Sequence, residues 1–273
     1  MRLSKEQKFL YSRVAILIAS VGWIVSAFAG FKGFPFWYGG FVLCFWLAFG
    51  MINYKEKSSV WLFHNKPRLF ALFYAALAGT LFLGDQFGLN MHLWFYPFYK
   101  GFALLFVWLG LYPFGGLATL ELLYFLSSYF GEPLRFERRP ETRRHDFFDV
   151  LEPLIFLAMI GVIVKGAIGI GPEIGAPVAI IISIIWILAA MVKIKFHIRH
   201  PGHYALILVL TALIAAISYE LPNAIAREWV YLDAPFLNLS ALGLPLWFWI
   251  LWFLFTLIPL RLWIFLVLHQ KMK

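Results

Sequence analysis

The sequence is poor in charged side chains. Only 14% of its 273 residues are Asp, Glu, Lys or Arg, whereas soluble domains carry roughly a quarter. At the same time, 62% of the residues are hydrophobic and 20% are aromatic. Such a chain has too little polar surface to cover itself in water, so we expect lipid to cover it. The composition therefore excludes a soluble globular protein and indicates a membrane protein.

Cysteine and recognisable catalytic motifs are also scarce. The single Cys44 excludes an internal disulfide framework and a Cys-ligated cluster. The chain has no GxSxG, HExxH or phosphate-loop pattern, so whether it is an enzyme stays open. None of the seven histidines lies in the middle of an apolar run, where a transmembrane haem needs its ligands. We therefore expect no haem and no metal site. No small-residue cleavage site follows the first apolar run, so we also expect no cleaved signal peptide.

Eight apolar runs are long enough to cross a bilayer, which takes about 20 mostly apolar residues. They cover roughly residues 12–30, 34–52, 69–89, 102–130, 148–170, 174–194, 204–220 and 244–268. Lys and Arg cluster at both termini and after the second, fourth and sixth runs. Because cations accumulate on the cytoplasmic side, we predict an all-α multi-pass membrane protein with eight transmembrane helices and both termini cytoplasmic. The same pattern accounts for the net charge of +9 without nucleic-acid binding.

Two segments of the chain echo each other. Residues 85–96 read DQFGLNMHLWFY and residues 220–231 read ELPNAIAREWVY, at an offset of 135. In each, an acid is followed nine positions later by Trp and eleven positions later by Tyr. A second pair, residues 21–31 and 160–170, is related by an offset of 139.

The echoes predict two tandem four-helix repeats, residues 1–131 and 148–273, joined by a basic cytoplasmic connector at residues 132–147. Because each repeat has an even number of spans, both halves enter the membrane in the same direction. They would then be related by an axis along the membrane normal. Chance similarity between two apolar segments is the alternative.

Apart from charges at the cytoplasmic ends of the spans, five charged residues fall inside the predicted spans, where charge is costly and often functional. A rise of ~1.5 Å per residue places Asp85, Lys165 and Glu220 towards the outer side, and Glu121 and Arg261 towards the cytoplasm. Because an unpaired buried charge is costly, we expect Glu121 to pair with Arg261, and Lys165 to pair with an outer acid. In the alternative interpretation the Lys and Arg side chains snorkel to the interface, and the outer acids reach the headgroups.

The outer acids and the aromatic residues that follow them form the best candidate site for a ligand or a proton pathway. In facing repeats, Trp94, Tyr96, Trp229 and Tyr231 would wall an apolar pocket with both carboxylates at its floor. His92, between the first acid and its Trp, would lie nearby. Carboxylates brought together in a poorly hydrated pocket share a proton or recruit a cation. An aromatic belt at headgroup depth with two hydrated acids is the alternative.

Three functions are compatible with these features. The first is a non-haem integral subunit of a larger membrane complex that binds a quinone, pigment or lipid between the two repeats, since aromatic side chains suit flat apolar ligands. This layout resembles that of the quinone-binding membrane subunits of polysulfide-reductase type, which also consist of two four-helix bundles; the resemblance is one of architecture alone. The second is a secondary transporter, or an ion- or proton-conducting protein, that uses buried charges at the repeat interface. The third is a membrane enzyme acting on a lipid.

The expected location is the cytoplasmic membrane of a bacterium or archaeon. The expected partners are membrane lipids and other subunits of a membrane complex, with no nucleic acid.

Overall fold

The computed structural model describes residues 5–131, 153–158, 160–162, 164, 178, 181–189, 201–232, 240–241 and 244–268. Within these residues the chain is mostly helical. The helices are α1 (Lys5–Phe31), α2 (Trp37–Ile52), α3 (Ser59–Asn65), α4 (Pro67–Asn90), α5 (Gly101–Phe106), α6 (Tyr112–Tyr129), α7 (Pro201–Ala226) and α8 (Leu246–Trp263). A 3₁₀ turn (Asn53–Glu56) follows α2, and π-helical turns follow α5 (Val107–Leu111) and α8 (Ile264–Leu268). The strands are β1 (Trp94–Phe95), β2 (Val230–Tyr231), β3 (Ser240–Ala241) and β4 (Leu244–Pro245).

Six of the described helical segments are long and apolar enough to cross a membrane, so the chain has the character of a multi-pass membrane protein. They cover residues 13–31, 37–56, 67–90, 101–129, 202–226 and 247–267. These correspond to the first four and the last two predicted runs. Most of the fifth and sixth runs lies outside the described residues, as does the connector at 132–147. The eight-span arrangement therefore stays a prediction.

The surface of α1 indicates where lipid would lie. Leu17, Ile18 and Ile24 are each more than 60% exposed, although the helix is strongly apolar. In water such a face would be unfavourable by about 25 cal/mol for each Å² of apolar surface. Acyl chains remove that cost, so α1 is a peripheral helix that borders lipid.

Small residues let α1 and α2 approach each other closely. A Cβ atom on Gly22 of α1 would lie 2.7 Å from the Cys44 sulfur, and a Cβ on Gly40 of α2 would lie 2.7 Å from the Ser26 hydroxyl. Both distances are shorter than van der Waals contact, so larger residues would push the helices apart. Packing through small residues is the usual way in which membrane helices associate.

Tyr219 of α7 joins three helices at the centre of the aromatic core. Its ring contacts Phe41 of α2 at 5.2 Å and Trp252 of α8 at 5.1 Å between ring centroids. Its hydroxyl donates a hydrogen bond to the Gly115 carbonyl of α6 at 3.1 Å. The side chain is 1% exposed. A buried Tyr needs an acceptor for its hydroxyl, and this bond sets the position of α7 against α6.

A proline causes the break between α5 and α6. Pro113 has no N–H to donate to the carbonyl of Leu109, four residues earlier. The chain forms the π-helical turn here, and the Tyr74 hydroxyl of α4 reaches the Leu109 carbonyl at 3.2 Å and the Gly110 carbonyl at 2.7 Å. The freed carbonyl is therefore satisfied by a neighbouring helix, as membrane helices require.

The short strands differ from the purely helical prediction. β1 follows α4 and β2 follows α7, and the two pair antiparallel with Trp94 opposite Tyr231 and Phe95 opposite Val230. Aromatic and β-branched residues favour extended backbone. Pairing satisfies N–H and C=O groups that would otherwise be left unpaired between apolar side chains.

Candidate functional site

A cavity of about 190 Å³ lies between α4, α7, α8 and the paired strands β1 and β2. One buried water needs roughly 10–15 Å³ of such space, so the cavity is large enough for a ring or a head group. Its lining is mostly apolar and aromatic. Asp85 and Glu220 are the charged residues among the described residues that line it. The four aromatic residues expected from the sequence, Trp94, Tyr96, Trp229 and Tyr231, also line it.

Asp85 lies near the end of α4 and is only 3% exposed. Its Oδ1 accepts hydrogen bonds from Trp94 Nε1 at 3.1 Å and from the Tyr96 hydroxyl at 2.5 Å. The return of the chain over the helix end depends on Gly88, because a Cβ atom there would lie 2.0 Å from the Trp94 ring. Burial and the adjacent Asp85 carboxyl raise the pKa of Tyr96 well above its usual value. The Tyr96 phenol therefore remains a hydrogen-bond donor at neutral pH.

Glu220 has the same arrangement at the end of α7. It is 5% exposed, and its oxygens accept hydrogen bonds from Trp229 Nε1 at 3.3 Å and from the Tyr231 hydroxyl at 3.0 Å. Asn223 holds Trp229 in place through two bonds to its backbone, of 2.9 and 3.1 Å. The two acids thus have separate donors among the described residues, and a shared proton or cation between them stays a prediction.

The backbone also has the same conformation seven positions after each of the two acids. His92 and Arg227, each seven positions after its acid, have left-handed φ angles of 55° and 54°. Residues other than glycine rarely adopt this conformation. It ends each helix and redirects the chain into the strand that carries the Trp and the Tyr. His92 is exposed and belongs to this turn; it is not among the described residues that line the cavity.

Asp85 differs from Glu220 in one respect. Its Oδ2 is buried and accepts no hydrogen bond from the described residues, whereas both oxygens of Glu220 are used. The Tyr96 hydroxyl also contacts the Tyr112 hydroxyl. Either hydroxyl can be the donor in that contact. The Tyr112 hydroxyl and the Trp108 N–H also lie near the Asp85 carboxyl, but neither makes a hydrogen bond of good geometry to Oδ2.

Glu228 is a further buried acid near the cavity, which the sequence analysis did not single out. Its carboxylate accepts a hydrogen bond from the Tyr38 backbone N–H at 3.3 Å and another from the Tyr99 hydroxyl. Burial raises the pKa of Glu228 to about 8. Tyr112 lies close enough to Glu228, Glu220 and Asp85 to interact electrostatically with each. In the sequence, Glu228 lies in a joint outside the apolar runs, so no rule about charge in a span applied to it.

The carboxylate of Glu121 accepts several hydrogen bonds, none of which was expected from the sequence. It is fully buried on α6, and its Oε1 accepts hydrogen bonds from the Ser59 N–H at 2.6 Å and the Ser59 hydroxyl at 2.5 Å. Its Oε2 accepts one from Asn53 Nδ2 at 2.9 Å. Trp46 Nε1 in turn donates to the Ser59 hydroxyl at 2.7 Å. These bonds attach α6 to the 3₁₀ turn and to the start of α3.

Among the described residues, Glu121 and Arg261 do not line the cavity. A contact between Glu121 and Arg261 stays a prediction, and it is not needed to satisfy the Glu121 carboxylate. Arg261 lies half-buried on α8 and is not among the described lining residues. Lys165, the expected partner of an outer acid, lies outside the described residues.

Comparisons with protein-family models, with curated proteins and with solved structures found no match to this chain. The function must therefore be argued from the cavity itself. The cavity combines aromatic walls, which suit an apolar ligand, with one buried carboxylate oxygen that has no donor among the described residues. Buried polar groups without a partner are uncommon, and each calls for an explanation such as a ligand.

Proposed function

We propose that this chain is a multi-pass membrane protein that binds an apolar small molecule in the cavity beside Asp85. The ligand would be a quinone, a pigment or a lipid, and the protein would act as an integral subunit of a larger membrane complex. One observation carries the proposal: an aromatic cavity has at its edge a buried carboxylate oxygen, Asp85 Oδ2, with no donor among the described residues. A hydroxyl or amino group of the ligand, such as the hydroxyl of a reduced quinone or a polar group of a lipid, would supply that donor.

The size of the cavity bears on which part of the ligand it holds. Binding pockets for whole drug-sized molecules measure roughly 300–1,000 Å³, and this cavity measures about 190 Å³. It therefore suits a single ring or a head group, with any long chain extending between helices into the lipid.

We also propose that the two halves are four-helix repeats and that the cavity lies between them. The matching hydrogen bonds of Asp85 and Glu220 support this, as do the equal φ angles of His92 and Arg227. A further parallel is found in the ring contacts. Tyr96 contacts Tyr112, and the residues 135 positions later, Tyr231 and Trp247, are also in contact.

A pair of glycine substitutions on α4 tests ligand binding. Gly84 lines the cavity, and a Cβ atom there would meet no atom within 4 Å. Gly84→Phe should therefore fill the cavity without displacing the helix. Gly79, on the same helix, also has open space but is exposed and is not among the lining residues. Gly79→Phe is therefore the matched control.

Each protein would be purified in mild detergent, and its small molecules extracted and identified by mass spectrometry. We expect one apolar compound close to equimolar with the wild-type chain and with Gly79→Phe, and its loss from Gly84→Phe. Equal content in all three proteins would refute binding in the cavity. Purification also tests the assembly, since a complex subunit should co-purify with other chains in fixed ratio.

Transport is the second candidate function, and the break between α5 and α6 favours it. The π-helical turn ends at Leu111. Tyr112, the next residue, lines the cavity and lies near Asp85, Glu220 and Glu228. Such turns are frequent at functional sites. Uptake of a solute into proteoliposomes by the purified chain alone would favour transport over a subunit role.

A further inference from the structure

We propose that the ligand of the cavity carries a protonated primary amine, R–NH3⁺, and that Asp85 recognises it. This inference rests on the proposed function, because it names the chemical class of the ligand that occupies the same cavity. It follows from the charge of the lining, from the free oxygen of Asp85 and from the aromatic walls.

The charge of the lining is of one sign. Among the described residues around the cavity there are two carboxyl groups, Asp85 and Glu220, and no Lys, Arg or His. A buried carboxylate without a cation is strongly unfavourable. A neutral ligand leaves that charge uncompensated, and the carbonyl oxygens of a quinone would face an acceptor. An ammonium group compensates the charge.

The free oxygen of Asp85 adds a requirement for hydrogen bonding. Its Oδ1 is occupied by Trp94 and Tyr96, whereas its Oδ2 has no donor among the described residues. An ammonium group has three N–H donors and no acceptor. Hydrogen bonds between ionised groups are about twice as strong as neutral ones. A primary amine therefore meets the electrostatic and the hydrogen-bonding requirement with one group.

The walls provide a second attraction for a cation. The indole rings of Trp94, Trp229, Trp247 and Trp252 all line the cavity. The face of an indole ring attracts cations more strongly than the ring of any other aromatic side chain does. The Trp94 and Trp247 rings stack at 6.2 Å between centroids, with planes 20° apart. An aromatic or aliphatic body would pack against the same rings.

Glu220 provides an internal control for the role of Asp85. It lines the same cavity and has the same type of donors, but both of its oxygens already accept hydrogen bonds. Amine recognition should therefore depend on Asp85 far more than on Glu220. The sequence suggested Lys165 as a partner of one of these acids. Because Lys165 lies outside the described residues, a Lys165 variant serves as a further control.

The test compares two probes that have the same shape and differ in charge, phenylethylammonium and 2-phenylethanol. Equilibrium dialysis would measure saturable binding of each to the full chain in phosphatidylcholine nanodiscs at pH 7, with empty nanodiscs as the blank. We expect the cation to bind at least about tenfold more tightly than the alcohol, a preference of about 1.4 kcal/mol. Asp85→Asn should remove most of that preference and leave alcohol binding within about twofold.

The controls separate Asp85 from the other charges. Glu220→Gln should lower the affinity for the cation less than Asp85→Asn does, because only Asp85 has an oxygen without a hydrogen bond from the described residues. Lys165→Met should leave the affinity for the cation nearly unchanged. A large increase in affinity in Lys165→Met would overturn the inference, because it would mean that a lysine of the chain already occupies the amine position.

The remaining outcomes distinguish the two proposals. Equal binding of the cation and the alcohol to the wild-type chain would overturn amine recognition and leave the proposed binding function standing. Absence of saturable binding for both probes would contradict both proposals. The comparison within the wild-type chain holds even where Asp85→Asn fails to fold, since it needs no variant.

Discussion

Phe95 and Val230 lie opposite each other in an antiparallel pair of strands, and they are 135 positions apart in the sequence. This is the same offset that relates Asp85 to Glu220. An antiparallel pair of strands can map onto itself by a twofold rotation about its central residue pair. With Phe95 and Val230 as that pair, Trp94 lies opposite Tyr231, as observed. A self-complementary contact of this kind is typical of two equivalent units.

The strand pairing predicts a disulfide that joins the two halves. Opposed Cα atoms in antiparallel strands are about 4.5–5.5 Å apart, which is within the range of about 4.4–6.8 Å for disulfides. After Cys44→Ser, the double variant Phe95→Cys with Val230→Cys should cross-link on mild oxidation. Cleavage between the halves followed by a non-reducing gel would detect the link. Leu72→Cys with Val230→Cys should not cross-link, because Leu72 lies about 20 Å along α4 from Asp85.

Glu121 should contribute to stability through its hydrogen bonds. Glu121→Gln retains one acceptor oxygen for Ser59 but presents N–H groups to Asn53, so we expect a loss of about 1 kcal/mol in the free energy of unfolding. Glu121→Leu removes all acceptors and should cost about 3 kcal/mol. Thermal unfolding in detergent would measure both. The control is Ser127→Ala on the same helix, because the Ser127 hydroxyl has no partner among the described residues. Equal losses for Gln and Leu would contradict the hydrogen-bonding role.

Glu228 should make stability depend on pH. Burial raises its pKa from 4.5 to about 8, so the folded state binds the proton more tightly than the unfolded chain. Its contribution is therefore complete below about pH 4.5 and is lost as the pH rises through about 8. The melting temperature of the wild-type chain should fall between pH 5 and 9, and Glu228→Gln should show a smaller fall. Glu56→Gln, at an exposed position, should match the wild-type slope. If the melting temperature of Glu228→Gln falls with pH as steeply as that of the wild-type chain, Glu228 does not cause the pH dependence.

The contribution of the Tyr74 hydroxyl to stability should depend on Pro113. Tyr74→Phe removes the donor to the Leu109 and Gly110 carbonyls and should cost about 1 kcal/mol in the free energy of unfolding. Pro113→Ala restores an N–H that can reach the Leu109 carbonyl. In that background the loss caused by Tyr74→Phe should be smaller. A double-mutant cycle measured by thermal unfolding would give the coupling, and purely additive effects would contradict it.

The sequence predicted the helical membrane class and six of the spans that the structure describes, because hydropathy over about 20 residues is a local property. It also located both acid–Trp–Tyr sets, whose residues turned out to line one cavity. Those sets are local as well. Each acid bonds to residues nine and eleven positions further along the chain, across a single helix end.

Only the tertiary structure decided which acid keeps a free oxygen and which are satisfied. Glu121 receives its hydrogen bonds from residues 62 and 68 positions away, and Glu228 receives one from a residue 190 positions away. A composition rule can say that a buried charge needs a partner, but many donors are available along a chain. The choice among them depends on which helices pack together, and this is why the sequence named neither Ser59 nor Asn53 as a donor to Glu121 and overlooked Glu228.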